Sequence, residues 1–406
     1  MKHAFPRSVK STETLDLYSE RMILNWGPNH PATHGTLRVV LELEGESIIS
    51  CDTEIGYLHR GLEKLAENWN YNQIVNISDR LNYCSIFINN VGWHLACENL
   101  FGIEAPPRAQ YLRTILSEVA RIADHMVCLG PNCVDIGALT PFWYVWDIRE
   151  QAYDILEFVT GARMTTAFTR VGGLAADVPD GFEEKVRAFL PEVYSVMDEI
   201  DGLLAGNRIW NDRTRGVGAL TAEEAVSYGW TGPCLRACGV PHDLRVANPY
   251  LAYDEVQFDI PVGENGDTYD RFFVRVEECR QSARIIEQAL DKLPKGPVIT
   301  KDKHAVLPEK EHVYNEMESL IHHFEIVMFG PKAPDGAVCY EAVEGANGEL
   351  GFTIASNGTN KPYRMHVRAP CYYVFAALPR LVTGRMLADV PATVASLNII
   401  AGELDR

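Results

Sequence analysis

The segment Arg108-Ala109-Gln110-Tyr111-Leu112-Arg113-Thr114-Ile115-Leu116-Ser117-Glu118-Val119-Ala120-Arg121-Ile122-Ala123-Asp124-His125-Met126-Val127-Cys128-Leu129 places Leu112, Ile115, Leu116, Val119, Ile122 and Met126 at the spacing of one helix face. The same recurrence over 71–101, 140–164 and 181–207 predicts four long helices in succession, hence a central bundle. Thr221 with Glu224 forms a capping box for a short helix that Gly229 stops, and two more helices are expected over 271–290 and 311–327. On the N-terminal side the period changes to two: Leu37, Val39, Leu41 and Leu43 alternate with Arg38, Val40, Glu42 and Glu44, a half-buried strand. With Arg21–Trp26 before it and Ile48–Cys51 after it, this makes a small antiparallel sheet. After Gly330, residues 337–340 and 351–355 read as a hairpin across Glu344-Gly345-Ala346-Asn347-Gly348, with 363–367 a third strand and a short helix over 372–381. The fold class expected is α+β: an N-terminal β lobe over 1–60, a helical bundle over 61–329 with an irregular 230–268 segment, and a C-terminal α+β lobe over 330–406.

A chain of 406 residues with 47% hydrophobic and 23% charged residues can bury a large core. Its 37 basic and 55 acidic residues give a net charge of -18, which argues against nucleic acid and against a bare anionic membrane as partner. No run approaches the roughly 18 apolar residues of a spanning helix, and Met1-Lys2-His3-Ala4-Phe5-Pro6-Arg7 lacks the apolar core of a signal peptide. The ten cysteines contain no Cys-x-x-Cys pair, so buried thiols are expected and no metal or iron–sulphur cluster ligated by this chain.

The candidate chemistry starts in Gly27-Pro28-Asn29-His30-Pro31-Ala32-Thr33-His34-Gly35, two histidines in a proline- and glycine-bounded loop at the mouth of the first sheet. Pro31 and Gly35 disfavour the helix that the four-residue spacing of His30 and His34 would need to bind zinc, so loop histidines bonded to nearby backbone are an equal alternative. The apolar helix expected over 71–101 carries Asn76, Asp79, Arg80, Asn82 and Tyr83, polar groups that must be paired or used if buried. A tyrosine there more often anchors packing, and Asp135, after Gly130-Pro131-Asn132-Cys133-Val134, reads as a cap in the loop between two helices.

Taken together in chain order, Gly27-Pro28-x-His30-Pro31-x-x-His34-Gly35, His59-Arg60-Gly61-x-Glu63-Lys64, Asp79-Arg80-x-x-Tyr83, Arg170-Val171-Gly172-Gly173 and Gly402-Glu403-x-Asp405-Arg406 resemble the 49-kDa-type (D-type) catalytic subunit of proton-pumping NADH:quinone oxidoreductase, respiratory complex I. That family is itself similar to the nickel-iron hydrogenase large subunit, whose thiolates fall here on the 80–85 and 396–399 segments. One cysteine at the first and none at the second cannot assemble a nickel-iron site.

The resemblance implies a hydrogenase-like fold whose vacated metal cavity takes a quinone headgroup. It implies Tyr83 and His34 as proton donors to the two carbonyls, Asp135 paired to His34, and Ser85, Val127 and Ile400 lining the pocket. It further implies Arg80 and Arg170 beside the terminal iron–sulphur cluster of a B-type partner of complex I, with the C-type and I-type partners and the H-type membrane partner as other neighbours. The expected place is peripheral, on the cytoplasmic side of the bacterial cell membrane. The quinone, ubiquinone or menaquinone, is substrate.

Two departures from the family pattern stand out. Threonine (Thr165) replaces a histidine common in the segment before Arg170, which implies a cluster potential less dependent on pH and a lower one, suited to menaquinone. Asn398 stands where aspartate is usual. Three rival readings are a membrane-bound nickel-iron hydrogenase relative, a non-catalytic scaffold, and a zinc hydrolase using His30, His34 and His59.

Overall fold

The computed structural model describes residues 21–406, so the opening Met1–Arg7 stretch lies outside the described residues. Strands β1 (Arg21–Trp26), β2 (Arg38–Glu44) and β3 (Ser47–Glu54) form an antiparallel sheet in that order, with Trp26 opposite Val39 and Leu41 opposite Cys51. Leu37, Val39, Leu41, Leu43 and Ile48 are buried, as the alternation requires. The sheet is stitched to the far end of the chain by Ile48 N–H donating to Arg385 O at 2.9 Å and Gly384 N–H donating to Ile48 O at 2.8 Å.

The Pro107–Asp135 helix, 29 residues and about 44 Å long, is the axis of the molecule. It packs against the helices Ile86–Phe101, Leu139–Thr160 and Thr268–Asp291, and Phe182–Leu204 completes the bundle. Its apolar face is buried as expected. So is its polar face: Arg113, Glu118, Arg121, Asp124 and His125 are all inaccessible to solvent. Most of these find a charged partner, Arg113 with Glu98 at 2.7 Å, Glu118 with Arg121 and Arg245 at 3.2 Å, and His125 with Glu278 at 2.8 Å.

Four boundaries differ from expectation. The helix expected over 71–101 is broken into Val75–Ser78 and Ile86–Phe101, because Asn82 Oδ1 takes the Cys84 and Ser85 N–H groups at 3.1 and 3.4 Å and so replaces helical bonds with a side-chain turn. The Arg108–Leu129 helix continues through Pro131 to Asp135, so Asp135 is the last helical residue and not a loop cap. Pro131 supplies no N–H to the carbonyl one turn back, that of Val127. The helix expected over 311–327 is interrupted at extended Glu316, and that over 372–381 divides into Pro370–Ala376 and Leu378–Val382, where Pro379 opens the second piece. The Thr221–Glu224 capping box is present on both sides.

Strands β4 (Thr169–Arg170) and β5 (Gly173–Leu174) form a tight hairpin, and β6 (Asp335–Gly345), β7 (Gly348–Asn357) and β8 (Pro362–Arg368) a second three-stranded antiparallel sheet. Gly173, at φ +147°, has no room for a side chain, since a Cβ would lie 2.1 Å from Val298 O. No helix among the described residues is long and apolar enough to cross a membrane.

Candidate active site

The two histidines of the first loop have different fates. Pro31–Thr33 forms one turn of 3-10 helix for which His30 is the cap: its Nδ1 accepts the Ala32 N–H at 3.2 Å, and its ring lies against Trp26 with centroids 4.7 Å apart. Thr33 Oγ1 braces the loop from inside, bonding Pro28 O at 3.0 Å and His30 O at 2.8 Å. His34 ends the turn in the left-handed region at φ 53°.

His34 borders a hollow of about 40 Å³ shared with Tyr83, Val127, Asp135, Asn398 and Ile400. The fold thus brings the three acid–base candidates and two of the three anticipated lining residues to one cavity. Ser85 is the exception: it is buried, does not border the hollow, and its hydroxyl has no hydrogen-bond partner among the described residues. Cys128, Pro131, Val394 and Ala395 also border the hollow and were not anticipated.

The electrostatics depart from the expected His34–Asp135 pair. No ion pair joins them, and neither perturbs the other. Burial lowers the His34 pKa, so the imidazole is not held charged, and burial raises that of Asp135 to about 6 although its side chain reaches solvent at the rim. Two separate elements bring these groups to one rim without closing the last gap. Tyr83 is half-buried, and burial, with Cys84 and Cys371 beside it, pushes its phenol up to about 12. The hydroxyl thus stays protonated at any physiological pH.

Arg80 and Arg170 lie away from the hollow and both reach the surface. Arg80 Nη1 donates to Asn76 O at 2.8 Å and lies 3.4 Å from Asp79. Arg170 is held by its own hairpin, its guanidinium bonded to Thr169 O at 2.8 Å while buried Arg113 donates to its carbonyl at 2.7 Å. Ser78 Oγ to Asn90 Oδ1 (2.7 Å) and Asn90 Nδ2 to Thr166 O (2.5 Å) join the Arg80 corner to the Arg170 segment. His59 borders a different groove, with Glu63 and Arg364, so it does not join His30 and His34. Among the described residues no group of three or more His, Cys, Asp or Glu is placed to hold a metal ion.

Asn398 acquires a structural reason. Its Nδ2 donates to Asp124 Oδ1 at 2.9 Å and to Asn347 Oδ1 at 2.6 Å, two bonds that an ionised aspartate has no hydrogen to make. Asp124 escaped the sequence reading because it falls on the polar face of its helix with Arg113, Glu118, Arg121 and His125, and nothing local marks that face as buried.

Comparison with known proteins agrees with this architecture. A family model described as the 49 Kd subunit of respiratory-chain NADH dehydrogenase matches residues 135–406. The chain is 48% identical over 390 residues to the D subunit of NADH-quinone oxidoreductase from Myxococcus xanthus, covering 96% of this chain and 94% of that one. It is 50% identical over 393 residues to the D 1 subunit of the same enzyme from Sorangium cellulosum, 97% of each chain. It also matches, at 50% identity over 383 residues, the single polypeptide named as the C/D subunit in Bdellovibrio bacteriovorus, covering 94% of this chain and 68% of that one. With a subunit-length match at this identity, the chain belongs to the 49 kDa (D) subunit family of NADH:quinone oxidoreductase, as a subunit of the complex that catalyses that reaction.

Proposed function

We propose that the hollow between His34 and Tyr83 receives the headgroup of a quinone and that these side chains protonate it as it is reduced. The observation that carries this is their convergence, from the first loop and the 79–85 bend, on one cavity walled by Val127 and Ile400. A quinone taking up two electrons becomes basic at both oxygens and needs two protons where water is scarce. The Tyr83 hydroxyl serves one oxygen and a His34 N–H the other, the second ring nitrogen taking up a proton from water at the rim in the same step so that no imidazolate forms; Asp135, raised to about 6, stands at that rim as a proton source. Exposed Val134, Leu139 and Trp143, next to Asp135 in the chain, give a lipid-soluble molecule an apolar approach.

The hollow has room for a few waters and not for a ring. Entry requires the loop around His34 to swing outward as the braced unit described above, hinged at Gly27 and Gly35, both at positive φ. A photoactivatable quinone in the assembled complex is expected to label residues 32–37 or 394–400 and to be displaced by unmodified quinone. Labelling confined to other segments or to other chains of the complex overturns the reading.

Electrons are delivered, in this reading, by an iron–sulphur cluster of a B-type partner docked against Arg80 and Arg170, whose positive charges favour its reduced form. The C-type, I-type and membrane H-type partners are the further neighbours proposed, on the cytoplasmic side of the membrane. The cluster's pH dependence is a separate check. Thr165 does not titrate, and His94, bonded to Thr169 Oγ1 at 2.9 Å, is kept neutral by burial beside Arg113 and Arg170. The midpoint potential is therefore expected to move by less than about 20 mV per pH unit between pH 6 and 8, against about 59 mV for one coupled proton per electron. Redox titration of the complex giving the larger slope would count against the assignment.

A further inference from the structure

Asp124, on the Pro107–Asp135 helix, is inaccessible to solvent, and no ion pair reaches it among the described residues. Its partners are two side-chain amides, one on each oxygen: Asn82 Nδ2 on Oδ2 at 2.7 Å and Asn398 Nδ2 on Oδ1 at 2.9 Å. A buried carboxylate without a counter-charge is a costly way to hold a fold, and apolar side chains of similar size would do that at lower cost. What it supplies is direction, because two charge-assisted bonds on opposite oxygens fix two neighbours at once.

Those neighbours adjoin the two walls of the hollow. Asn82 directly precedes Tyr83, and its other groups set the bend that presents the phenol: Oδ1 accepts the Cys84 N–H, and its carbonyl accepts Asn89 Nδ2 at 2.7 Å. Asn398 directly precedes Ile399 and Ile400, which border the hollow, and occupies the left-handed region at φ 52° that turns the chain toward them. Its amide also reaches Asn347, which in turn donates to the Cys371 thiol at 3.5 Å, so the donor directions along this chain are set in one sense. Asn82 and Asn398 lie 316 positions apart (398 − 82) and converge on one carboxylate.

We propose that Asp124 is a positioning residue of the quinone site, setting the separation and orientation of the Tyr83 wall relative to the Ile399–Ile400 wall. It touches no substrate and acts through Asn82 and Asn398. The proposal rests on the reading of the hollow as the quinone site.

Asp124→Asn keeps size and shape but leaves one oxygen, so one of the two asparagines faces an N–H₂ in place of an acceptor. Combining it with Asn398→Asp moves the carboxylate across the same gap: Asn at 124 donates to it, and the Asn347 amide can turn to donate in its place while accepting from the Cys371 thiol. In the assembled complex, with a short-chain quinone as substrate, Asp124→Asn is expected to lower kcat by about 10- to 100-fold, the effect of a sub-ångström to 1 Å misplacement. KM should change by less than about threefold, since the apolar walls remain. NADH oxidation by an artificial acceptor should be unchanged. The double variant is expected to return kcat to within about threefold of wild type. Wild-type kcat in Asp124→Asn, a double variant no better than the single one, or failure of both to assemble would each overturn the proposal, the last because the pair would then hold the fold and not the pocket. Tyr83→Phe, run alongside, separates the two ideas: normal turnover there removes the quinone site itself, whereas an inactive Tyr83→Phe with a fully active Asp124→Asn removes only the positioning role.

Discussion

Tyr83→Phe is expected to lower quinone reduction by the assembled complex by about 100- to 1,000-fold, while NADH oxidation by an artificial acceptor and the amount of assembled complex stay unchanged. The size follows from what a positioned general acid contributes. Burial keeps the Tyr83 phenol protonated with a pKa of about 12, so at neutral pH it is always able to donate, and a two-electron-reduced quinone is basic enough to take its proton. Phenylalanine fills the same space and preserves the Asn82 turn, which is made by backbone and asparagine groups and not by the phenol. What is removed is the hydroxyl, with its proton and its bond to the Ala401 backbone. Quinone turnover within threefold of wild type, measured in membranes with the same NADH:artificial-acceptor rate, would show that the phenol is a packing group and that the hollow does not protonate its substrate.

The second large effect concerns stability. Arg245 is buried between two acids, bonded to Asp243 at 2.7 Å and to Glu118 at 3.2 Å, with its guanidinium over Phe258. Arg245→Met leaves Asp243 with Arg236 at 3.5 Å as its remaining ion pair, and Glu118 with Arg121 plus the hydroxyls of Tyr253 and Ser282. Removing one member of such a buried pair costs about 3–5 kcal/mol, because the abandoned charge stays desolvated. The local opening free energy of the Pro107–Asp135 helix, read by hydrogen exchange in the assembled complex, is expected to fall by that amount. A change under about 1 kcal/mol would show that water or a rearranged Arg121 compensates.

The same cluster has a defined pH signature. Burial would raise the Glu118 pKa, yet Arg121 and Arg245 hold it at about 2, and Asp243 is likewise held below the carboxylate range by Arg245 and Arg236 against its burial. A pKa lower in the folded than in the unfolded chain contributes stability that is complete above the unfolded value near 4 and is lost as pH falls toward 2. In the Arg245→Met variant both acids are less depressed, so acid removes less stability, but the fold starts from a lower value and is exhausted at a higher pH.

How far the site could be read from sequence depends on the range of the forces that build it. The β1–β3 sheet and the bundle helices follow from alternation and from the 3.6-residue period, which are local. The loop at His34 was legible because proline and glycine restrict their own backbone. The 79–85 bend was not, since the helical period runs through it unbroken: what decides against the helix is Asn82, which satisfies backbone N–H groups with its own oxygen and is anchored by an acid 42 positions away (124 − 82). Asp135 was misplaced for the opposite reason, a proline that marks a helix end in sequence but sits within the last turns of a helix supported by packing.

By itself the sequence determined the order of the main elements, the acidic charge and the absence of a thiolate set for nickel and iron, because these depend on residue identity or on neighbours a few positions away; which phenol and imidazole to test came from the resemblance of the motifs to a family. Tertiary structure alone decided that Tyr83 and His34 border one hollow, that His34 is left without the carboxylate partner expected for it, that the axial helix buries its charged face, and that Asp124 joins both walls. Each of these depends on groups that are far apart along the chain and close in space, where burial and removal from water set protonation and pairing, and no local pattern of residues encodes that distance.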